Sequence, residues 1–370
     1  MRARNRDSEG KPPPRRRCEG AGRRRIIFRL LSVLLIPLLL LTAEGMLRLR
    51  RKWQAHARGT VFWTEPDEYL GYRLKRNFFT PDGRAFINAA GIRGDTSHLP
   101  EARGRPRVLV IGNSCAFGAG CYDTEVFSFL LEKKLRSEGW PEALVFNAGV
   151  GGYNSAQVRV YLERELWNFR PTDVVGYVGW NDLVTATWPF YVPNVQLGPA
   201  FHRNQPFSLM AKLFDKSELL YLIRSRWRLF NNRYLSPKGG TDVWNEKYIR
   251  DFERNVDAMV GDARKHGAEI YFIIPPMDLA RHPRYYSLEG YSYSDSGFFR
   301  LWERFRRILV SAVPRDHIID LPAALEDSVR DTDVIYDYNH LGPRGHIVAS
   351  EEIYRVLTRN WRKRRGRAKE

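Results

Sequence analysis

The chain has 370 residues, a mass of 43.2 kDa and a hydrophobic fraction of 43%, enough to fill one large domain or two modest ones. Its formal net charge of +18 would suit a nucleic-acid-binding protein, but the excess lies in three short segments, and residues 59–358 are formally neutral. The basic segments are 1–25, 48–58 and 359–370. Because nucleic-acid affinity needs charge on the binding face, this distribution argues against nucleic acid as a partner and favours a membrane surface.

The first predicted element is a membrane-spanning signal anchor over residues 26–44. Its apolar run, IIFRLLSVLLIPLLLLTA, carries a single charge, Arg29, and basic residues flank both ends. A cleaved signal peptide is the alternative, but no small-x-small cleavage pattern follows the run. The larger basic flank comes first, so the positive-inside rule predicts that residues 1–25 form a cytoplasmic tail. The rest of the chain is then expected outside the cytoplasm, in a periplasm or its equivalent.

Residues 45–105 form a connecting region that contains one hairpin signal. In NFFTPDGRAFINAAGIRG, the turn residues Pro81, Asp82 and Gly83 separate two short apolar runs. We therefore expect a small hairpin docked on the main domain.

From Arg107 onward, apolar runs alternate with helical patterns, which predicts a parallel α/β sheet. The predicted strands are RVLVIGN, ALVFNAGV, DVVGYVGWND, EIYFIIPP and HIIDL. Helices are expected at about residues 125–137, 155–169, 244–265 and 344–357. The predicted domain covers residues 106–360, with an insertion at about 183–243 and a basic tail at 361–370. The insertion is either a lid over the site or a set of extra helices on the flank.

The loops after the first three strands, IGNSC, NAGVGGYN and GWND, fall at the carboxyl edge of such a sheet, where open α/β sheets bind ligands. Walker, zinc-protease and dinucleotide-binding motifs are absent from the sequence. A serine nucleophile remains, and Ser114 follows the RVLVIG strand with Gly112 two residues before it. A serine in this place is more often a helix cap or a turn residue. Its assignment as a nucleophile therefore depends on finding a base, a partner for the base and oxyanion donors.

The candidate base and its partner are His340 and Asp337 in DYNH, just before the last predicted helix. A second DxxH, Asp95 to His98, lies in the connecting region and shows that this spacing alone is uninformative. Oxyanion donors are expected from the backbone N–H groups of Ser114 and Gly152 and from the side-chain amide of Asn181.

The segments GNSCAFG, NAGVGGYN, GWND and DYNHLGPRGH resemble the four blocks of the SGNH hydrolases, the GDSL lipase/esterase superfamily. The resemblance covers about residues 107–359 and implies a three-layer α/β/α flavodoxin-like fold. It also implies that Ser114 is the nucleophile, His340 the base, Asp337 its partner, and Gly152 and Asn181 oxyanion donors. LGYR and NAAGIRG in the connecting region resemble membrane-attached bacterial members. One departure is Asn113, which stands where the first block usually has Asp.

These observations predict a membrane-anchored serine esterase that needs no metal and no cofactor. The expected substrate is an O-acetyl or other acyl ester on an envelope or secreted carbohydrate, with Trp180 and Trp188 as sugar-stacking surfaces. Three alternatives remain: an acyltransferase with the same triad, an α/β-hydrolase with a near G-x-S-x-G motif, and a non-catalytic glycan-binding module. The three cysteines include a conceivable Cys115–Cys121 bridge but no zinc-binding spacing. The sequence does not determine the oligomeric state.

Overall fold

The computed structural model describes residues 33, 35–50, 63–95, 106–186, 191, 196–197, 217, 219–220, 222–223, 244–278 and 295–367. The predicted anchor lies partly outside these residues, since 26–32 and 34 are not among them. Residues 35–50 are helical, and most of their apolar side chains are exposed, as at Leu41, which is 70% exposed. Across the described parts of the chain, no helix combines the length and apolarity that a membrane crossing requires.

The connecting region contributes two small antiparallel pairs. β1 (Thr64–Asp67) pairs with β2 (Gly71–Leu74), and β3 (Phe78–Phe79) pairs with β4 (Phe86–Ile87) around the turn that contains Gly83. Gly83 has a φ of 68°, a left-handed conformation that glycine adopts without strain. The chain after β4 then joins the main sheet through bridges from Arg93.

Five parallel strands form the central sheet: β5 (Arg107–Gly112), β6 (Leu144–Gly149), β7 (Asp173–Tyr177), β8 (Glu269–Ile274) and β9 (Ile318–Asp320). Their order across the sheet is β6-β5-β7-β8-β9, the flavodoxin-like order of a doubly wound fold. Every residue of β5, β6 and β7 is buried, as expected for strands covered on both faces. The predicted parallel sheet is therefore confirmed, and its switch point lies between β5 and β7.

Eight helices accompany the sheet in the described residues. They are α1 (Ser114–Phe117), α2 (Phe127–Ser137), α3 (Ser155–Arg164), α4 (Trp180–Ala186), α5 (Glu246–Lys265), α6 (Asp295–Ala312), α7 (Leu321–Leu325) and α8 (Pro343–Arg367). α2 packs with α8, whereas α3, α4 and α6 pack with α5, which gives the two outer layers of a three-layer α/β/α arrangement. The predicted helix over 155–169 ends at Arg164 and is followed by a 3₁₀ turn at Leu166–Phe169.

The last helix is longer than the sequence predicted. We expected it to end near residue 357 and to be followed by a basic tail, but α8 continues to Arg367. Trp361 is buried, Arg365 stacks on Trp140 at 3.9 Å, and Arg364 Nη2 donates to Asp173 at 2.7 Å. The basic residues of this stretch therefore pair with acidic and aromatic groups of the body.

Most of the predicted insertion lies outside the described residues, including Trp188 and the greater part of 208–230. In the part that is described, Tyr191 donates a 2.7 Å hydrogen bond to Asp251 of α5. The Glu44 carboxylate accepts hydrogen bonds from Ser217 Oγ and Leu219 N, each at 2.9 Å. These contacts do not distinguish the two predictions for the insertion, a lid over the site or extra helices on the flank.

Candidate active site

Ser114 is the first residue of a single helical turn, α1, which starts two residues after β5 ends. Gly112 makes this sharp exit possible, because its φ is 150° and a Cβ there would lie 2.2 Å from the carbonyl oxygen of Tyr177. Asn113 caps the turn, and its Oδ1 accepts the Cys115 N–H at 2.9 Å. The turn therefore leaves Ser114 half-buried at the carboxyl edge of the sheet.

The replacement of the expected Asp by Asn113 leaves the cap intact. The Nδ2 group of Asn113, by contrast, is buried and has no hydrogen-bond partner among the described residues. The turn thus keeps its cap and leaves one buried amide group unpaired, at a cost of about 1 to 3 kcal/mol.

His340 joins Ser114 to Asp337 in a continuous hydrogen-bonded line. The distance between Ser114 Oγ and His340 Nε2 is 2.7 Å, and the distance between His340 Nδ1 and Asp337 Oδ2 is 2.6 Å. Both residues lie in a tight loop that an Ile335–Leu341 bridge closes just before α8. With Nδ1–H donating to the carboxylate, Nε2 is free to accept the Ser114 hydroxyl proton.

Backbone N–H groups orient the Asp337 carboxylate as a hydrogen-bond acceptor for His340. Its other oxygen, Oδ1, accepts the backbone N–H groups of Asn339 at 2.9 Å and His340 at 2.8 Å. Burial by itself would raise the pKa of Asp337, but the hydrogen bonds and the attraction from His340 outweigh it and hold the pKa below its usual value. The carboxylate thus remains charged at neutral pH and fixes the orientation of the imidazole.

The predicted oxyanion donors follow neighbouring strands. Gly112 is paired in register with Gly149 of β6 and with Tyr177 of β7, so the three strands end level with one another. Ser114 comes two residues after β5, Gly152 three residues after β6 and Asn181 four residues after β7. The structure therefore brings the three donor segments to one edge, beside the switch point.

The individual donors differ in their current partners. The N–H groups of Ser114 and Gly152 donate to no acceptor in the described parts of the chain, and Gly152 is exposed with a φ of 83°. Asn181 Nδ2 donates one hydrogen to the Tyr153 carbonyl at 2.8 Å, which ties the β6 and β7 loops together. Its second amide hydrogen remains available for a ligand.

Asp182, the residue after Asn181, lies in a buried polar cluster behind the site. Its carboxylate accepts the Ser155 N–H at 2.9 Å and the Ser155 hydroxyl at 2.5 Å, and Asn255 Nδ2 donates to that hydroxyl at 3.0 Å. Burial raises the pKa of Asp182 to about 6 although the hydrogen bonds from Ser155 oppose the shift. This cluster fixes the start of α3 against α4, so it holds the Asn181 turn in place.

One sequence-based expectation at the site is wrong: Trp180 is only 3% exposed and packs against Phe298 and Tyr338, so it offers no sugar-stacking surface. The conceivable bridge between Cys115 and Cys121 is not formed, since both are buried free thiols. Burial raises the pKa of Cys121 to about 11, and it also raises the pKa of Cys115. Each thiol sits against a backbone carbonyl of the 339–341 segment instead.

Three residues that support the site were missed by the sequence reasoning: Arg93, Tyr72 and Asn147. They contact the backbone of the nucleophile turn or of the Gly152 loop. Their only signal in the sequence was the presence of NAAGIRG and LGYR in the connecting region and of Asn in NAGV.

The chain matches no family model and no curated protein. Solved structures similar to it include a lipolytic protein of the G-D-S-L family from Desulfitobacterium hafniense, with 13% identity and a TM-score of 0.41 over 68% of this chain and 99% of that one. A lipase/acylhydrolase from Enterococcus faecalis has 17% identity and a TM-score of 0.42 over 68% and 95%. The acetylxylan esterase Axe2 from Geobacillus stearothermophilus has 12% identity and a TM-score of 0.40 over 68% and 94%. Likeness at these levels does not by itself assign a function.

Proposed function

We propose that this chain is a serine esterase of the SGNH type. The observation that carries the proposal is the line of hydrogen bonds from Ser114 through His340 to Asp337, with distances of 2.7 and 2.6 Å. A serine that only caps a helix needs neither an imidazole bonded to its hydroxyl nor a carboxylate bonded to that imidazole. The sheet order and the sharing of one loop by Asp337 and His340 favour this type over an α/β-hydrolase.

The reaction follows from the positions of these groups. His340 Nε2 takes the hydroxyl proton as Ser114 Oγ bonds to the ester carbonyl carbon, and Asp337 stabilises the imidazolium that forms. The oxyanion accepts hydrogen bonds from the N–H groups of Ser114 and Gly152 and from Asn181 Nδ2. The imidazolium then gives its proton to the departing alcohol as the C–O bond breaks. Water then gives a proton to His340 Nε2 as its oxygen bonds to the acyl carbon. The bond from that carbon to Ser114 Oγ breaks, and His340 returns the proton to Oγ, which releases the carboxylic acid and restores the serine.

The substrate class we propose is an acyl ester, of which O-acetyl is the simplest, on an envelope or secreted carbohydrate. With Trp180 buried, Tyr336 offers an aromatic surface beside the triad among the described residues: it is 42% exposed and stacks on the His340 ring at 5.6 Å. The exposed apolar side chains of residues 35–41 and the basic flanks support our further proposal of an N-terminal membrane anchor and an extracytoplasmic domain.

Hydrolysis of p-nitrophenyl acetate and of acetylated oligosaccharides by the full chain in detergent tests the proposal. We expect Ser114→Ala to lose at least about 1,000-fold in kcat, because it removes the nucleophile. Ser137→Ala is the matched control and should leave the rate unchanged, because this exposed serine ends α2 where the chain turns toward the start of β6, at the edge of the sheet opposite Ser114. Equal rates for wild type and Ser114→Ala would refute the esterase.

Two further measurements separate the alternatives. Labelling of Ser114 by a fluorophosphonate distinguishes an enzyme from a non-catalytic glycan-binding module. Product analysis with a free acceptor sugar distinguishes water from a sugar hydroxyl as the acyl acceptor, and hence a hydrolase from a transferase.

A further inference from the structure

The nucleophile turn cannot hold its own conformation. α1 has four residues, and an isolated helix of that length is unstable in water because nucleation is costly. The carbonyl groups at its carboxyl end also have no partners within the helix. The position of Ser114 therefore depends on groups from elsewhere that bind those carbonyls.

Arg93, from the connecting region, binds the backbone at the end of α1 and just after it. Its Nη1 donates to the carbonyls of Phe117 and Gly118, each at 2.7 Å, and its Nη2 donates to the carbonyl of Cys121 at 2.6 Å. Its Nε donates to Asp123 Oδ1, also at 2.7 Å, and the side chain is only 1% exposed. A buried guanidinium with its donors fixed in this way acts as a rigid clamp on the backbone just after Ser114.

Asn147 of β6 completes the clamp, since its Nδ2 donates to the Ala116 carbonyl at 3.0 Å. The backbone of Arg93 is bridged to the same Asn147, so the connecting region, the edge strand and the nucleophile turn form one unit.

Tyr72, from β2, supports the Gly152 loop in a comparable way. Its hydroxyl donates to the Gly151 carbonyl at 2.8 Å, and its own carbonyl accepts the Tyr153 hydroxyl at 2.5 Å. A Cβ at position 152 would lie 2.5 Å from the Tyr72 oxygen, which shows how closely the ring approaches the Gly152 backbone. Tyr72 therefore restricts the peptide whose N–H is the proposed oxyanion donor.

We infer that Arg93 and Tyr72 are positioning residues: Arg93 holds Ser114 in line with His340, and Tyr72 holds the Gly152 amide where the oxyanion forms. The inference rests on the proposed function. Its consequence is that the connecting region from residue 63 to residue 95 is part of the catalytic unit rather than a spacer. Both side chains bind backbone carbonyls, so their effect is exerted through the backbone of the nucleophile turn and of the Gly152 loop.

The test compares Arg93→Gln, Arg93→Lys and Tyr72→Phe with wild type in the full chain. The measurements are kcat and KM for p-nitrophenyl acetate and the rate constant of fluorophosphonate labelling, each per folded molecule as counted by circular dichroism below the unfolding transition. A displacement of about 1 Å at a reacting group can cost about 100-fold, so we expect Arg93→Gln to lower kcat and labelling by about 10- to 100-fold. KM should change little, and Arg93→Lys should fall between wild type and Arg93→Gln.

Tyr72→Phe removes one hydroxyl and keeps the ring, so the chain should remain folded while kcat falls by about 5- to 10-fold. Arg73→Gln is the matched control. Arg73 lies on the same strand and is ion-paired with Asp67 at 2.8 Å and with Glu165, so its loss should lower stability without changing rates per folded molecule.

Rates per folded molecule that equal wild type in Arg93→Gln and Tyr72→Phe would overturn the inference and leave these residues a purely structural role. Failure of the proposed function would give a different result, because the wild-type chain itself would neither hydrolyse the ester nor react with the fluorophosphonate. In that case the inference would be refuted together with the proposed function.

Discussion

Replacing the Asp337 carboxylate by an amide should disable the imidazole without removing it. In Asp337→Asn, the Oδ1 atom has to stay where the N–H groups of Asn339 and His340 point, because both donors need an acceptor. The amide nitrogen then faces His340 Nδ1, where Oδ2 lies 2.6 Å away in the wild-type chain. A donor at that place forces Nδ1 to accept, so the proton moves to Nε2.

An imidazole protonated at Nε2 donates to Ser114 Oγ and cannot take its proton. The same change of tautomer in a serine protease triad lowers kcat by about 10⁴-fold. The Asp337 side chain here is 33% exposed, so water can compensate for part of the loss, and we expect a decrease of about 10³- to 10⁴-fold. That corresponds to about 4 to 5 kcal/mol of transition-state stabilisation.

The assay is hydrolysis of p-nitrophenyl acetate at neutral pH, with the thermal unfolding curve recorded for each variant. Asp333→Asn, at an exposed carboxylate two residues before the loop that holds Asp337, is the control for loss of one negative charge and should keep the wild-type rate. A decrease smaller than about 10-fold in Asp337→Asn, with Ser114→Ala inactive, would show that the carboxylate does not set the tautomer of His340 and would refute this reasoning.

Three further predictions concern stability and packing. Because the pKa of Asp182 is raised from 3.8 to about 6, the folded carboxyl binds its proton more tightly than the unfolded chain does. Stability should therefore fall by about 2 kcal/mol between pH 4 and pH 7, and urea unfolding at these two pH values should show a smaller fall in Asp182→Asn. Arg364→Ala leaves the buried Asp173 carboxylate without its ion-pair partner and should cost about 3 kcal/mol in the same measurement, whereas a cost below about 0.5 kcal/mol would show that the pair is unimportant. Gly149→Ala places a Cβ 2.3 Å from a backbone nitrogen of the nucleophile turn and should therefore lower kcat by about 100-fold. In the control Gly261→Ala the new Cβ meets no atom within 4 Å, so kcat should not change, and equal rates for the two variants would contradict the predicted close packing.

The sequence was sufficient for the sheet and for the edge where the site lies. Buried parallel strands read as continuous apolar runs, and the loops that follow them must share one edge, so Ser114, Gly152 and Asn181 could be grouped without coordinates. The position of DYNH after the last strand separated His340 from the uninformative His98. These inferences depend on local periodicity and on the order of strands and helices along the chain, and both can be seen in a single sequence.

The features that were missed depend on contacts between distant segments. Nothing in NAAGIRG indicates that Arg93 will bind carbonyls more than twenty residues later. The arginine-rich stretch at 361–367 was likewise predicted to be a solvated tail, because its buried partner Asp173 is distant in the sequence. Trp180 was misjudged for a related reason, since its burial is produced by α6 and by the 338–340 loop rather than by its neighbours in the chain.

The length of α8 has a practical consequence for any labelled form of the protein. Its first residue follows the loop of His340 at the carboxyl edge of the sheet, and Arg364 near its end meets Asp173, the first residue of β7, at the opposite edge. At 1.5 Å per residue the 25-residue helix is about 37 Å long, which carries it past the full depth of the sheet. A fluorophore attached at the carboxyl end of α8 would therefore lie at the edge of the sheet opposite Ser114.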